Sequence, residues 1–186
     1  MSVETIVCGA TDGPVNTTGA RASCIPTAER VVLPNNLFYI KRAIRILMGG
    51  RISCVVTTPG AARYDICMGS AGTTIVFDTL AIALNVVAKV TVPWILDVTL
   101  VCRAVGTGAS TTFFPGPSYW ASEAGVGAGI PGVGGSGNGF FNVPVGTPAV
   151  GAGMDNTAAS ALDAFFTQTV ATGSHTVHNY IVQLLN

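Results

Sequence analysis

Val92-Pro93-Trp94-Ile95-Leu96-Asp97-Val98-Thr99-Leu100-Val101-Cys102-Arg103 alternates with a period of two. Val92, Trp94, Leu96, Val98, Leu100 and Cys102 form one apolar face, while Asp97, Thr99 and Arg103 share the other. Successive side chains of a strand point to opposite faces, so the pattern predicts a strand with one face on a core. Similar alternation recurs upstream. In 37–48, Phe38, Ile40, Arg42, Ile44, Ile46 and Met48 share one side, and Lys41 and Arg45 the other. Gly49-Gly50 then predicts a hairpin turn into a strand over 51–57. Ala62, Tyr64, Ile66 and Met68 alternate with Arg63, Asp65 and Cys67, and 82–90 reads as a further strand. Residues 156–166 are Ala-rich with a helix cap available at Asp155 or Asn156. Phe165-Phe166-Thr167-Gln168-Thr169-Val170 is strand-like, so 161–170 is read as strand. From Val177 both faces turn apolar, with Tyr180, Val182 and Leu184 on one and Ile181 and Leu185 on the other. A strand apolar on both faces is central to something. Short strands punctuated by Gly, Pro and Asn, without a convincing helix, predict an all-β antiparallel sandwich or barrel.

Composition adds a second constraint. The chain has 186 residues, one domain's worth; 49% are hydrophobic and 10% charged. An ordinary domain is about a quarter charged. Eighteen charges cannot cover a folded surface of about 8,300 Å² in the usual mixed way. Part of that surface is therefore expected to be neutral, and part to be buried against other subunits. All nine Lys and Arg lie at or before Arg103, and only Glu123, Asp155 and Asp163 are charged beyond it. Such spread bases do not make the dense patch of a nucleic-acid binder. The most apolar stretch, 76–92, is interrupted by Asp78, Asn85 and Lys89, too soon for a bilayer span. The N-terminus lacks the basic start of a signal peptide. A chain made and folded in a cytoplasm is expected. Five cysteines without a Cys-x-x-Cys signal neither zinc nor a redox pair, and read as small buried hydrophobes.

Catalytic motifs are weak. Gly-x-Gly-x-x-Gly occurs at 127–132 and 132–137, but a dinucleotide site needs a helix after it, and none is predicted. Eight glycines in 125–139 make such matches a matter of composition. His175 and His178 lie three apart on a strand and point to opposite faces, so they cannot share a metal. No Gly-x-Ser-x-Gly elbow is present. Asn16-Thr17-Thr18 is a glycosylation sequon only in a secreted chain. The reading is of a protein without enzymatic activity, cofactor or metal.

The stretch from Phe77 to Gly108, together with Asp155-Asn156-Thr157 and the tail His178-Asn-Tyr-Ile-Val-Gln-Leu-Leu-Asn186, resembles small jelly-roll virion proteins of tailed bacteriophages. The likeness covers about 37–186. It implies a two-sheet antiparallel jelly roll shaped like a tumour-necrosis-factor subunit, and a homotrimer. It further implies a capsid decoration or cement protein on the virion surface, assembled in the host cytoplasm and partnered by itself and the major capsid protein. On that footing, residues 1–36 are expected as an N-terminal arm and 37–186 as the jelly roll, with a Gly-rich insertion at about 121–153. Tyr180, Ile181, Val182, Leu184 and Leu185 are expected at the trimer interface. Arg21 and Arg30 are expected to meet the capsid, and Tyr119, Trp120, Phe140 and Phe141, which flank the Gly-rich segment, either to anchor its feet to the core or to make loop contacts with a partner or neighbouring subunit. The alternative is a receptor- or carbohydrate-binding head of a phage fibre, in which Tyr119, Trp120 and the Gly-rich loop meet a host-surface glycan. The lack of heptads or repeats in the first 36 residues favours decoration.

Overall fold

A computed structural model describes residues 3–9, 11–54, 60–126, 139–170 and 173–185. Both Gly-x-Gly-x-x-Gly matches lie outside the described residues. The protein is all-β, with antiparallel sheets. In chain order the strands are β1 (Val3–Gly9), β2 (Ala22–Ser23), β3 (Val32–Leu33), β4 (Ala43–Cys54), β5 (Ala61–Met68), β6 (Thr74–Asp78) and β7 (Ile82–Ala83). They continue with β8 (Lys89–Ala104), β9 (Thr112–Pro115), β10 (Tyr119–Ser122), β11 (Phe140–Asn142), β12 (Ser160–Ala161), β13 (Asp163–Gln168) and β14 (Ser174–Leu185). The large sheet runs β1-β14-β4-β8-β10-β11, with β9 also on β8. The small sheet runs β2-β13-β5-β6, with β7 also on β5, and β3 pairs with β12 separately. The pairings nest. β1 pairs with β14, β2 with β13, β4 with β8, and β5 with β6.

The two sheets share one core, compatible with a β-sandwich. Ile44, Ile46, Met48, Leu96, Val98, Leu100, Val182 and Leu184 come from the large sheet, and Tyr64, Ile66, Met68, Ala164 and Phe166 from the small one. Tyr64 meets Trp94 across the interior at 5.1 Å between ring centroids. The alternation read in 92–103 is carried by β8: Trp94, Leu96, Val98, Leu100 and Cys102 are buried and Arg103 is exposed. The 161–170 segment is strand, in β12 and β13, and not helix.

Three local expectations fail for physical reasons. Gly49-Gly50 is not a turn, because β4 runs straight through it to Cys54. The pair instead admits β14 at close range, beside a bulge between Val177 and Asn179. A Cβ on Gly50 would stand 1.9 Å from the Thr176 carbonyl oxygen. That bulge, one extra residue on β14, lets Val177 and Tyr180 both point inward although they lie three apart. The strand expected from residue 37 starts only at Ala43, after a turn in which Lys41 has a φ of 74° and Ile40 is exposed. The strand expected over 82–90 breaks after Ala83, where the Asn85 side chain caps the Val87 backbone N–H at 2.9 Å. That break leaves Val86, Val87 and Val90 exposed.

The described residues of the first 36 are woven into the body and do not form a separate arm. β1 is an edge of the large sheet. Cys24, Ile25 and Leu33 are fully buried, and the Tyr180 hydroxyl donates to the Glu29 carbonyl. These few apolar anchors, spaced between turns, outweigh the turn-rich composition.

Candidate functional site

The two histidines stand in different surroundings. His175 is wholly enclosed, stacked on Phe166 at 4.0 Å and Trp94 at 4.8 Å. Burial lowers its pKa to about 3, so the imidazole is neutral and behaves as a core ring. His178 lies on the other face of β14, 2.5 Å from the Asp12 carboxylate. Among the described residues no group of three His, Cys, Asp or Glu could hold a metal ion. Cys24, Cys54, Cys67 and Cys102 are buried, while Cys8 is exposed. Burial pushes the Cys67 thiol up to about 11, against the pull of the Arg21 guanidinium. Asn16 is buried and its side-chain oxygen accepts from the Thr18 N–H at 3.0 Å, so the sequon is occupied by a turn.

The outward sides of the sheets carry the remaining chemistry, and strand register defines them. On the large sheet one cross-strand row holds Leu185, Ala43 and Val101, and the next holds Gln183, Arg45 and Thr99. Below them come Ile181, Leu47, Asp97, Tyr119 and Asn142, then Asn179, Gly49, Ile95, Ala121 and Phe140. Ile95 is 46% exposed and Phe140 54%. Leu47 and Ile95 line one shallow groove with Pro93 and Gly49, and Ile95 and Phe140 line another beside it. The ionic contact within these rows is Arg45 to Asp97, paired twice at 2.9 and 2.5 Å. The Asp97 hydrogen bonds are the main cause that raises the Arg45 pKa further.

The small sheet's outer side is built from charge. Arg21 pairs with Asp65 at 2.7 Å, Arg63 reaches Asp65 at 3.5 Å and also pairs with Asp78, and Arg30 lies 3.1 Å from Asp163. Asp65 and Asp163 are each 2% exposed. Burial raises the Asp163 pKa, opposed by the Ser23 hydroxyl at 2.8 Å and by Arg30. The Arg21 guanidinium also lies 3.7 Å over the Phe165 ring.

These positions redistribute the expected site residues. Tyr180, Val182 and Leu184 fill the chain's own core and are no part of its surface. Only Ile181 and Leu185, of the five placed at a subunit interface, stand on the outer side. The tail is apolar on both faces, so its sequence does not separate the two sets, and the chain's own core takes the inward one. Arg21 and Arg30 are a third exposed, but their charge is already matched by the chain's own buried acids. Trp120 is fully buried, 6.4 Å from Tyr64, and Phe141 packs on it at 5.7 Å. Tyr119 and Phe140 remain outside, stacked at 5.3 Å. Sequence reading missed the row Asp97, Tyr119 and Asn142. Strand parity put Asp97 outward, but only register brings the other two beside it. No protein-family model, curated protein or solved structure matches the chain.

Proposed function

We propose that the chain is a structural virion protein, a homotrimeric jelly roll that decorates and cements the capsid of a tailed bacteriophage and catalyses no reaction. The nested pairing of β1, β2, β4, β5, β6, β8, β13 and β14 supports the jelly roll, because within these eight the first pairs with the last, the second with the next to last, the third with the third from last, and the middle two with each other. A long hairpin wrapped around a barrel has this order. The observation that carries the assembly reading is the outer side of the large sheet. Leu47, Ile95, Ile181, Ala121 and Phe140 lie together there, with Leu185, Ala43 and Val101 beyond the Arg45–Asp97 pair. Ile95 and Phe140 are exposed there, and Leu47, Ala121 and Ile181 are half-buried beside them. Apolar side chains gathered on one sheet face and left uncovered by their own chain are what a partner can bury.

The mechanism is mechanical. A trimer seated where capsid subunits meet binds only the assembled shell, and mass action then favours that shell over its parts. The test has two steps. Light scattering gives the solution mass, and the purified protein is then added to bare heads. Saturable binding that raises the melting temperature of the heads is expected. Trimers that do not bind heads would refute decoration while leaving self-association intact.

A further inference from the structure

We propose that the cleft between β8, β10, β11 and the loop at 143–148 binds a neutral sugar ring, laid on Tyr119 and hydrogen-bonded by Arg45, Thr99 and Asn142. The cleft has a volume of about 540 Å³, within the roughly 300–1,000 Å³ of small-molecule sites. Arg45, Asp97, Thr99, Tyr119 and Asn142 line one side of it and Pro144 the other.

Three observations select the ligand class. The first is charge. Asp97 holds Arg45 through Nε and Nη2, so the lining is neutral overall and offers no site for a free anion or cation. The second is unused hydrogen-bonding capacity. Nη1 of Arg45, the Asn142 amide and the hydroxyls of Thr99 and Tyr119 form no hydrogen bond among the described residues, while Ser118 is consumed by its own turn at Gly116. Planar amide and guanidinium groups suit the adjacent hydroxyls of a pyranose, each of which both donates and accepts. The third is the ring. Phe140 is stacked near-parallel to Tyr119 at 22°, so one face of Tyr119 is braced and the ring is held upright at the cleft. A fixed aromatic face packs against the C–H side of a sugar at small entropic cost. Thr99 and Tyr119 have no histidine or free carboxylate beside them in the cleft, so the site is suited to binding and not to bond cleavage.

The site goes beyond the assembly reading and shares its face: Tyr119 stands in the same cross-strand row as Leu47 and Ile181, and its brace Phe140 belongs to the apolar set. A sugar and a second subunit therefore compete wherever the subunit covers the β10–β11 end of the sheet. The test is saturation-transfer NMR on the full chain with methyl glycosides of glucose, galactose, mannose, N-acetylglucosamine and rhamnose. Transfer to the ring protons of at least one glycoside is expected. Tyr119→Ala should abolish it, and Asn142→Ala should weaken binding at least fivefold. Asn142 is exposed, so its variant should keep the wild-type melting temperature; if Tyr119→Ala does not fold, Asn142→Ala decides together with Tyr119→Phe. No transfer to any of the five, or transfer unchanged in the folded variants, overturns the proposal. The solution mass of the same samples is recorded independently, so a monomer that binds sugar contradicts only the assembly reading.

Discussion

The two sheets face outward with opposite chemistry. The small sheet's outer side is a chain of opposite charges, Arg30 with Asp163 and Arg21 with Asp65, Arg63 and Asp78. The large sheet's outer side has apolar rows divided by the Arg45–Asp97 pair, with Arg51 and Arg103 exposed beyond them on β4 and β8. Both sides belong to antiparallel sheets packed on the same core, so the fold does not impose the difference. A charged network disfavours docking, because its partly exposed arginines Arg21, Arg30 and Arg63 would lose hydration on burial. An apolar row with an internally neutralised pair loses little. The contrast explains how a chain with 10% charged residues can still have one conventional surface: six of its charges sit on the small sheet's side.

The contrast can be broken at graded cost. The largest effect is expected inside the large sheet. Gly50→Ala places a Cβ against the Thr176 backbone, and backbone cannot swing away as a side chain can. A loss of about 3 kcal/mol or more is expected in urea unfolding; a loss below about 0.5 kcal/mol would mean that β14 does not approach β4 so closely.

Next is the core between the faces. The folded pKa of His175 is depressed to about 3 by burial, against about 6.5 in an unfolded chain. The unfolded state therefore binds the proton first, and stability present above about pH 6.5 is lost as pH falls toward 3. Between pH 6 and pH 4 the loss from this group is about 2.5 kcal/mol. His175→Phe should flatten the stability profile by that amount. Parallel profiles for the variant and the wild type would show that the ring is not held neutral.

On the apolar side, Ile95→Asp should weaken self-association about 30-fold, near 2 kcal/mol, at unchanged secondary structure. A trimer that tolerates Ile95→Asp does not use this face. On the charged side the same kind of change should act on folding and not on assembly. Arg30→Ala leaves Asp163 with Ser23 but without its guanidinium, and a loss of roughly 1–2 kcal/mol is expected after allowing for the partial exposure of the arginine. Raised salt should shrink that difference. If Arg30→Ala instead dissociated the assembly, the assignment of the two sides would be reversed.

Much of this contrast lay beyond the reach of the sequence. Periodicity located β8 and the core sides of β4 and β5, because alternation is a local property. It also named Arg45 and Asp97 as outward, and it could go no further. Arg21 and Asp65 are 44 residues apart in the chain, and Arg45 and Asp97 52 apart. Pairs at such separations follow from register, which the two-residue period leaves free to slide. Gly49-Gly50 was misread for a related reason. Two glycines signal a tight turn or a close approach of a neighbouring backbone equally well, and only the position of β14 decides between them. The aromatics beside the Gly-rich segment fit a core anchor and a partner contact equally well in the sequence, and only strand parity in β10 separates them: Trp120 turns inward and Tyr119 outward.

The most direct test of the account is the mass of the purified chain by light scattering on a sizing column, with Ile95→Asp run beside it. The account predicts a species of about three times 18.9 kDa for the wild type and a shift toward the single-chain mass for the variant. A wild-type monomer at micromolar concentration would contradict it, and would leave the apolar side of the large sheet without the partner assigned to it.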